Sequence, residues 1–216
     1  MIKKRFSIIF GLTADPIHKG HEQVIINGVD YCRDNGIEIE RFLLIPVYQP
    51  NLISDKKSPV ASFEQRFFMC ELVANRLSKQ LNCDIQISGI EKELAETTGN
   101  KNYSFNTVKQ LNIENTLFLV SADHFQGRWP KFRKWFKWQE ILEYSGLLIN
   151  QRPGHKINEG FIHQLKAINP NIFLIHNSKT IDVSSSVIRK YFNLSPIKEL
   201  LSDDVVQYIK TAGLYR

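Results

Sequence analysis

The chain has 216 residues, 43% of them hydrophobic and 23% charged, with 28 lysines and arginines against 22 aspartates and glutamates for a net charge of +6. No apolar run approaches the ~20 residues a membrane helix needs, and the basic start at Met1-Ile2-Lys3-Lys4-Arg5 leads into a strand rather than a signal-peptide core. Three widely spaced cysteines, Cys32, Cys70 and Cys83, argue against a disulfide framework and a structural zinc site, so a cytoplasmic protein with one domain over residues 1–216 is expected.

Arg5 to Phe10 is a short apolar run of strand type. Gly11 to His21 then forms a strand-to-helix turn, because Val24, Ile25, Val29 and Cys32 recur at helical spacing and Gly36 stands where a helix would end. Arg41 to Val47 is a second apolar strand, followed by a loop-like stretch that carries Lys56 and Lys57. Ser62 with Gln65 three residues on makes a capping box, opening a helix whose apolar face is Phe67, Phe68, Leu72, Val73 and Leu77. Cys83 to Ser88 alternates like a strand, Glu91 to Asn102 reads as a polar loop, and a short helix covers Ser104 to Leu111. Thr116 to Val120 is a continuous apolar strand ending at Ser121-Ala122-Asp123. A helix over Trp135 to Tyr144, a strand over Gly146 to Ile149 and a turn at Gln151-Arg152-Pro153-Gly154 come next. Helix Glu159 to Ile168, strand Ile172 to Ile175 and helical segments from Ser184 to Thr211 complete the chain.

Apolar strands alternating with helices indicate an α/β fold, a Rossmann-like doubly wound parallel sheet with helices on both faces and a helical C-terminus. Ligands in such folds sit beyond the carboxyl ends of the strands. The segments from Gly11 to His21, Pro46 to Lys57, Ser121 to Asp123 and Val183 to Arg189 each follow a strand, which points to one shared site.

Two of these segments carry the chemistry. A helix N-terminus presents unpaired N–H groups and the positive end of the helix dipole, so it favours phosphate. His18 and His21, three residues apart in a first turn, add donors suited to the charge that develops when a phosphoryl group is attacked. Far along the chain, Val183-Ser184-Ser185-Ser186-Val187-Ile188-Arg189 places three hydroxyls and an arginine at a second helix start, again an anion-binding pattern. A third stretch, residues 127–138, interleaves Arg128, Lys131, Arg133, Lys134 and Lys137 with Trp129, Phe132, Trp135, Phe136 and Trp138. That mixture also occurs in nucleic-acid binders, although a solvated amphipathic turn over the site is the reading preferred here, and it weighs against nucleic acid as a partner.

The run Gly11-x-Thr13-x-Asp15-Pro16-x-His18-x-Gly20-His21 resembles the signature of the nucleotidyltransferase superfamily and, within it, of the bacterial nicotinate-mononucleotide adenylyltransferases. Leu12 stands where that family normally has a second glycine, and Ala14 where it has phenylalanine. Ser184 to Arg189 is similar to the family's Ser-Ser-Thr-x-Ile-Arg run, Tyr103 to Val108 loosely to its Ser-Tyr-Thr-x-x-Thr segment, and Ser121-Ala122-Asp123 to its Gly-Ala-Asp. Val205, Tyr208, Ile209, Leu214 and Tyr215 match its usual ending. The resemblance implies transfer of AMP from ATP to a pyridine mononucleotide, with His18, His21 and Arg189 catalytic. It implies ATP and phosphate contacts at Gly11, Leu12, Thr13, Lys56, Lys57, Ser184, Ser185 and Ser186. Mononucleotide contacts would fall to Asp15, Tyr103, Ser104, Thr107, Asp123, Trp135 and Arg152, with Trp135 stacking on the ring and Trp138 in the core. Mg²⁺ would arrive on the ATP phosphates, with no metal held by the protein itself. No membrane partner is expected, and the sequence leaves a homo-oligomer open. Another enzyme of the superfamily with a different phosphorylated acceptor, nicotinamide mononucleotide included, and a non-catalytic nucleotide- or nucleic-acid-binding module are the alternatives.

Overall fold

The computed structural model describes residues 4–50, 58–99, 102–151, 154, 156–176 and 178–216. Six parallel strands, β1 (Arg5–Leu12), β2 (Glu38–Pro46), β3 (Ile85–Ile87), β4 (Thr116–Ser121), β5 (Ser145–Asn150) and β6 (Ile172–Ile175), form one sheet in the order β3-β2-β1-β4-β5-β6. The order reverses between β1 and β4, and that reversal opens a crevice at the carboxyl ends of these two strands. The expected doubly wound sheet is therefore present.

Alternation along each strand sends residues to two cores. Ile8, Phe42 and Leu44 face one layer, formed by α1 (Lys19–Asp34), α2 (Phe63–Leu81) and α9 (Asp203–Thr211). Ile9, Leu43, Ile45 and Leu147 face the other, formed by α4 (Ser104–Leu111), α5 (Trp138–Tyr144) and α6 (Glu159–Ile168). Strand β5 is buried at all six positions, which is why its centre, Leu147 to Ile149, is apolar without a break. The C-terminal part is helical, with α7 (Ser185–Tyr191) and α8 (Ser195–Lys198) leading to α9.

Three local expectations are corrected. Glu91 to Asn102, read as a polar loop, contains α3 (Ile90–Thr98), which runs from an N-cap at Gly89 to a left-handed C-cap at Gly99. The helix expected from Trp135 begins at Trp138, because Lys137 has a left-handed backbone (φ 53°) and Lys131–Lys134 is a separate 3₁₀ turn. The capping box at Ser62 is present, but the buried face of α2 is Phe63, Arg66, Met69, Cys70, Val73, Ala74, Leu77 and Leu81. Phe68 instead packs outside against Tyr208, with ring centroids 4.8 Å apart.

Candidate active site

The first motif begins where β1 leaves the sheet. His18 is the extended N-cap of α1 and is buried, and its ring stacks on that of His21 with centroids 3.7 Å apart. The His18 backbone N–H donates to His21 Nδ1 at 3.3 Å. An imidazole that accepts at Nδ1 carries its proton on Nε2, so His21 is oriented as an Nε2–H donor. Gly20 makes this turn fit, since a Cβ there would lie 2.9 Å from Val183 Cγ1 and 3.0 Å from the His18 ring. Val183 belongs to the approach to α7, so the two sequence motifs are in direct packing.

Hydrogen bonds lock the second motif onto the first. Ser184 caps α7 by accepting the Val187 N–H, and the Ser185 hydroxyl donates to the Pro16 carbonyl, 169 residues away, at 3.0 Å. Arg189 Nη1 donates to the Asp15 carbonyl at 2.5 Å and lies 3.2 Å from the Asp15 carboxylate, while Nη2 donates to Ser186 Oγ at 3.3 Å. The expected meeting of His18, His21 and Ser184 to Arg189 is thus what the chain does.

Asp15, expected to contact the mononucleotide, faces inward instead. Its carboxylate is 2% exposed and accepts the backbone N–H groups of Val60 and Ala61 and the hydroxyl of Tyr215, besides its ion pair with Arg189. Four donors fill the acceptor sites of one carboxylate. Leu12, expected on phosphate, has its side chain in the core, and its carbonyl accepts the Val47 N–H. Thr13 and Gly11 are exposed, and a Cβ at Gly11 would meet only the Phe118 ring at 3.9 Å, so this glycine leaves its space open to a ligand.

Sequence reasoning missed Arg66. It is 1% exposed, and its guanidinium donates to the carbonyls of Thr13 and Val47, both at 2.7 Å, and of Tyr48 at 3.1 Å. Burial lowers its pKa while the nearby Asp15 charge opposes that shift, and a guanidinium stays charged in either case. One signal pointed to it: Arg66 sits three and seven residues from Phe63 and Val73, inside a buried stripe. Asn27 was missed too. Its amide donates to Asn150 at 3.1 Å and to the Lys179 carbonyl at 2.8 Å, tying α1 to the end of β5 and to the approach to α7.

Beside Gly11 lies a cavity of about 110 Å³ that brings together Gly11, Ser104, Thr107 and Trp135, four of the predicted site residues, with Glu91 and Phe118. Trp135 is half-buried, held edge-on by His124 (5.1 Å) and tilted against Phe132 (5.1 Å) and Phe118 (5.9 Å). Thr107 and the buried Glu91 are hydrogen-bonded to each other, and desolvation raises the Glu91 pKa. Tyr103 is 42% exposed above α4, its ring 4.8 Å from that of Phe136. Asp123 stands at the end of β4, 3.9 Å from both His124 and Lys131. Lys56, Lys57 and Arg152 lie outside the described residues.

The basic-aromatic stretch is folded into the second core rather than spread as a platform. Phe132 is fully buried, Trp138 packs on Phe161 at 5.5 Å, and Arg133 lies over the Phe161 ring, while Trp129 at 73% and Phe136 at 45% remain exposed. A larger concavity of about 530 Å³ between α6 and β6 contains none of the predicted residues, and its charged lining, Lys156, Glu159, His163, Lys166 and His176, is exposed side chain. The smaller space beside β1 is therefore the candidate site. Among the described residues, no group of three or more His, Cys, Asp or Glu could hold a metal ion, and no helix is long and apolar enough to cross a membrane.

Known proteins agree with this architecture. The chain is 29% identical to a probable nicotinate-nucleotide adenylyltransferase of Marinomonas sp. (strain MWYL1), over 96% of this chain and 93% of that protein. It is also 29% identical to one from Wigglesworthia glossinidia brevipalpis over the whole of both chains. In structure it is similar to Plasmodium falciparum nicotinic acid mononucleotide adenylyltransferase complexed with APC, with a TM-score of 0.70, 20% identity and 98% of both chains covered. The same enzyme complexed with NaAD gives a TM-score of 0.65 at 21% identity, again covering 98% of both chains, and at such identities the likeness speaks for the fold. The model of the cytidylyltransferase-like family matches residues 9–191, which include the Gly11–His21 and Ser184–Arg189 motifs, and the chain belongs to that family.

Proposed function

We propose that the protein is a nicotinate-mononucleotide adenylyltransferase, with residues 1–216 acting as one nucleotidyltransferase domain. A 5′-phosphate oxygen of nicotinate mononucleotide bonds to the α-phosphorus of ATP. The bond from that phosphorus to the oxygen bridging to the β-phosphate breaks, giving deamido-NAD and pyrophosphate. No covalent enzyme intermediate is needed, so catalysis consists of in-line positioning and neutralisation of charge. His21, with its ring set by the His18 N–H, donates toward the α-phosphate, and His18 supports it from the stacked position. Ser184 to Ser186 and Arg189 receive the leaving pyrophosphate, joined by Lys56 and Lys57. Mg²⁺ enters as part of the nucleotide substrate.

The observation that carries this reading is the junction of two phosphate-favouring helix starts at the Asp15-Pro16 turn, next to an aromatic cavity floored by Gly11. A flat, electron-poor pyridine ring suits the indole of Trp135, with Ser104 and Thr107 offering hydroxyls at its edge. Nicotinate rather than nicotinamide is chosen on the names of the relatives. The test is pyrophosphate release from ATP with nicotinate mononucleotide, nicotinamide mononucleotide and unrelated phosphorylated acceptors in parallel. Fastest turnover with nicotinate mononucleotide is expected. Turnover only with an unrelated acceptor, or none with any, overturns the assignment.

A further inference from the structure

Beyond the residues that face substrate, we infer that Tyr215 is a positioning residue for the pyrophosphate end of the site, acting through Asp15 on Arg189. The inference rests on the adenylyltransferase reading only in that the anion held by Arg189 is taken to be a di- or triphosphate.

The Tyr215 hydroxyl donates to Asp15 Oδ1 at 2.7 Å across 200 residues of sequence, with Tyr215 8% and Asp15 2% exposed. Ala61 N–H shares Oδ1, while Val60 N–H and Arg189 Nη1 take Oδ2. The carboxylate is therefore a four-way junction, and the hydroxyl is the donor opposite Arg189. Tyr215 has a left-handed backbone (φ 58°), a conformation that bulky residues keep only where the surroundings hold them. Its ring is held edge-on to Phe192, 6.3 Å away, at the end of the helix that carries Arg189. Burial and the neighbouring carboxylate push the phenol well above its usual pKa, so it stays a donor at every pH at which the fold is assayed.

Without the hydroxyl, a buried carboxylate with one acceptor site open turns toward its remaining movable donor, which is Arg189. The backbone donors cannot follow. Arg189 is then drawn inward, away from the phosphate that its other N–H groups must meet, and the loss falls on the phosphate end while the ring cavity is untouched.

Tyr215→Phe keeps the ring and removes the donor. Isothermal titration with a non-hydrolysable ATP analogue, with pyrophosphate and with nicotinate mononucleotide separates the two ends without relying on turnover. Affinity for the ATP analogue and for pyrophosphate should fall about three- to tenfold, the value of one hydrogen bond, while mononucleotide affinity stays unchanged. In an Arg189→Lys background the same change should have little further effect, because the route runs through the guanidinium fork. Tyr208→Phe, on α9 and packed on Phe68, is the control and should alter neither affinity. Equal losses for all three ligands, an unchanged pyrophosphate affinity, or full additivity with Arg189→Lys would overturn the inference. Wild-type protein that binds these phosphates yet turns over no pyridine mononucleotide would defeat the functional assignment and leave this test standing.

Discussion

The two ends of the site are built on opposite plans. At the phosphate end, charged and polar side chains are buried: Asp15 is 2% exposed, His18 5% and Arg66 1%. At the ring end Tyr103 at 42% and Phe136 at 45% stand half in solvent, over a half-buried Trp135 and a buried Phe118. In the proposed function the phosphate end carries the chemistry, which gains from dipoles fixed before substrate arrives. The ring end only has to hold a flat group, which open aromatic surfaces do with little structure behind them. Substitutions at the first end should therefore be costly in kind and in size, and those at the second graded.

The largest effect is expected at Arg66, whose removal orphans three carbonyls. Arg66→Met should lower stability by about 3–5 kcal/mol, since three part-buried acceptors lose their donor at about 1–3 kcal/mol each. Urea unfolding would check it, and a loss below about 1 kcal/mol would show that those carbonyls find other donors. Next come the histidines: His18→Ala and His21→Ala should each lower kcat by about 10²–10³ with far smaller changes in nucleotide affinity. Near-normal steady-state turnover in both variants would remove them from the chemistry.

At the ring end, Trp135→Ala should raise KM for the mononucleotide and leave KM for ATP nearly constant, at about 0.5–1.5 kcal/mol beyond lost area. Equal changes in both constants would make Trp135 a packing residue. The smallest effect concerns Glu91, whose carboxyl is raised by desolvation. A carboxyl with a raised folded-state pKa binds its proton more tightly folded than unfolded, so it contributes stability at low pH that is lost as pH rises through the folded value. Glu91→Gln should accordingly raise the thermal midpoint at neutral pH, with the gain vanishing as pH falls below the ordinary glutamate range. A midpoint difference independent of pH would mean that the Thr107 contact, rather than the charge, matters.

The strands were legible because a parallel sheet buried on both faces writes itself as unbroken apolar runs, and β4 and β5 do so. The two phosphate motifs were legible for a related reason, since helix starts carry their own residue signature. Asp15 was misplaced because sequence shows a carboxylate near a ligand turn but not which way it faces; only the fold brings Val60, Ala61 and Tyr215 to it. Arg66 was missed because a charged residue in a helix is ordinarily on its solvent side. Helix α3 was obscured by Glu91, Lys92, Glu93 and Glu96, a mostly polar surface with Glu91 as its buried position, while the glycines at both ends were the available cue. On α2, Phe67 and Phe68 looked like core by type, yet the turn geometry gives the inward positions to Arg66, Met69 and Cys70.

The central place of β1 has a kinetic consequence. It pairs with β2 close by and with β4 at Ser7↔Thr116, and its terminal turn is completed only by Ser185, Arg189 and Tyr215. Such distant pairings bear a large loop-closure cost before they are rewarded, so they form late. A chain emerging from the ribosome would carry its two histidines early, on a helix already able to pack against β1 and β2. It would gain the anchoring of the turn that holds them only once Ser185, Arg189 and Tyr215 had been made. The geometry around the two histidines would therefore settle late, and a chain broken off before Ser185 would lack the contacts of Ser185 and Arg189 to that turn however much of its sheet had formed.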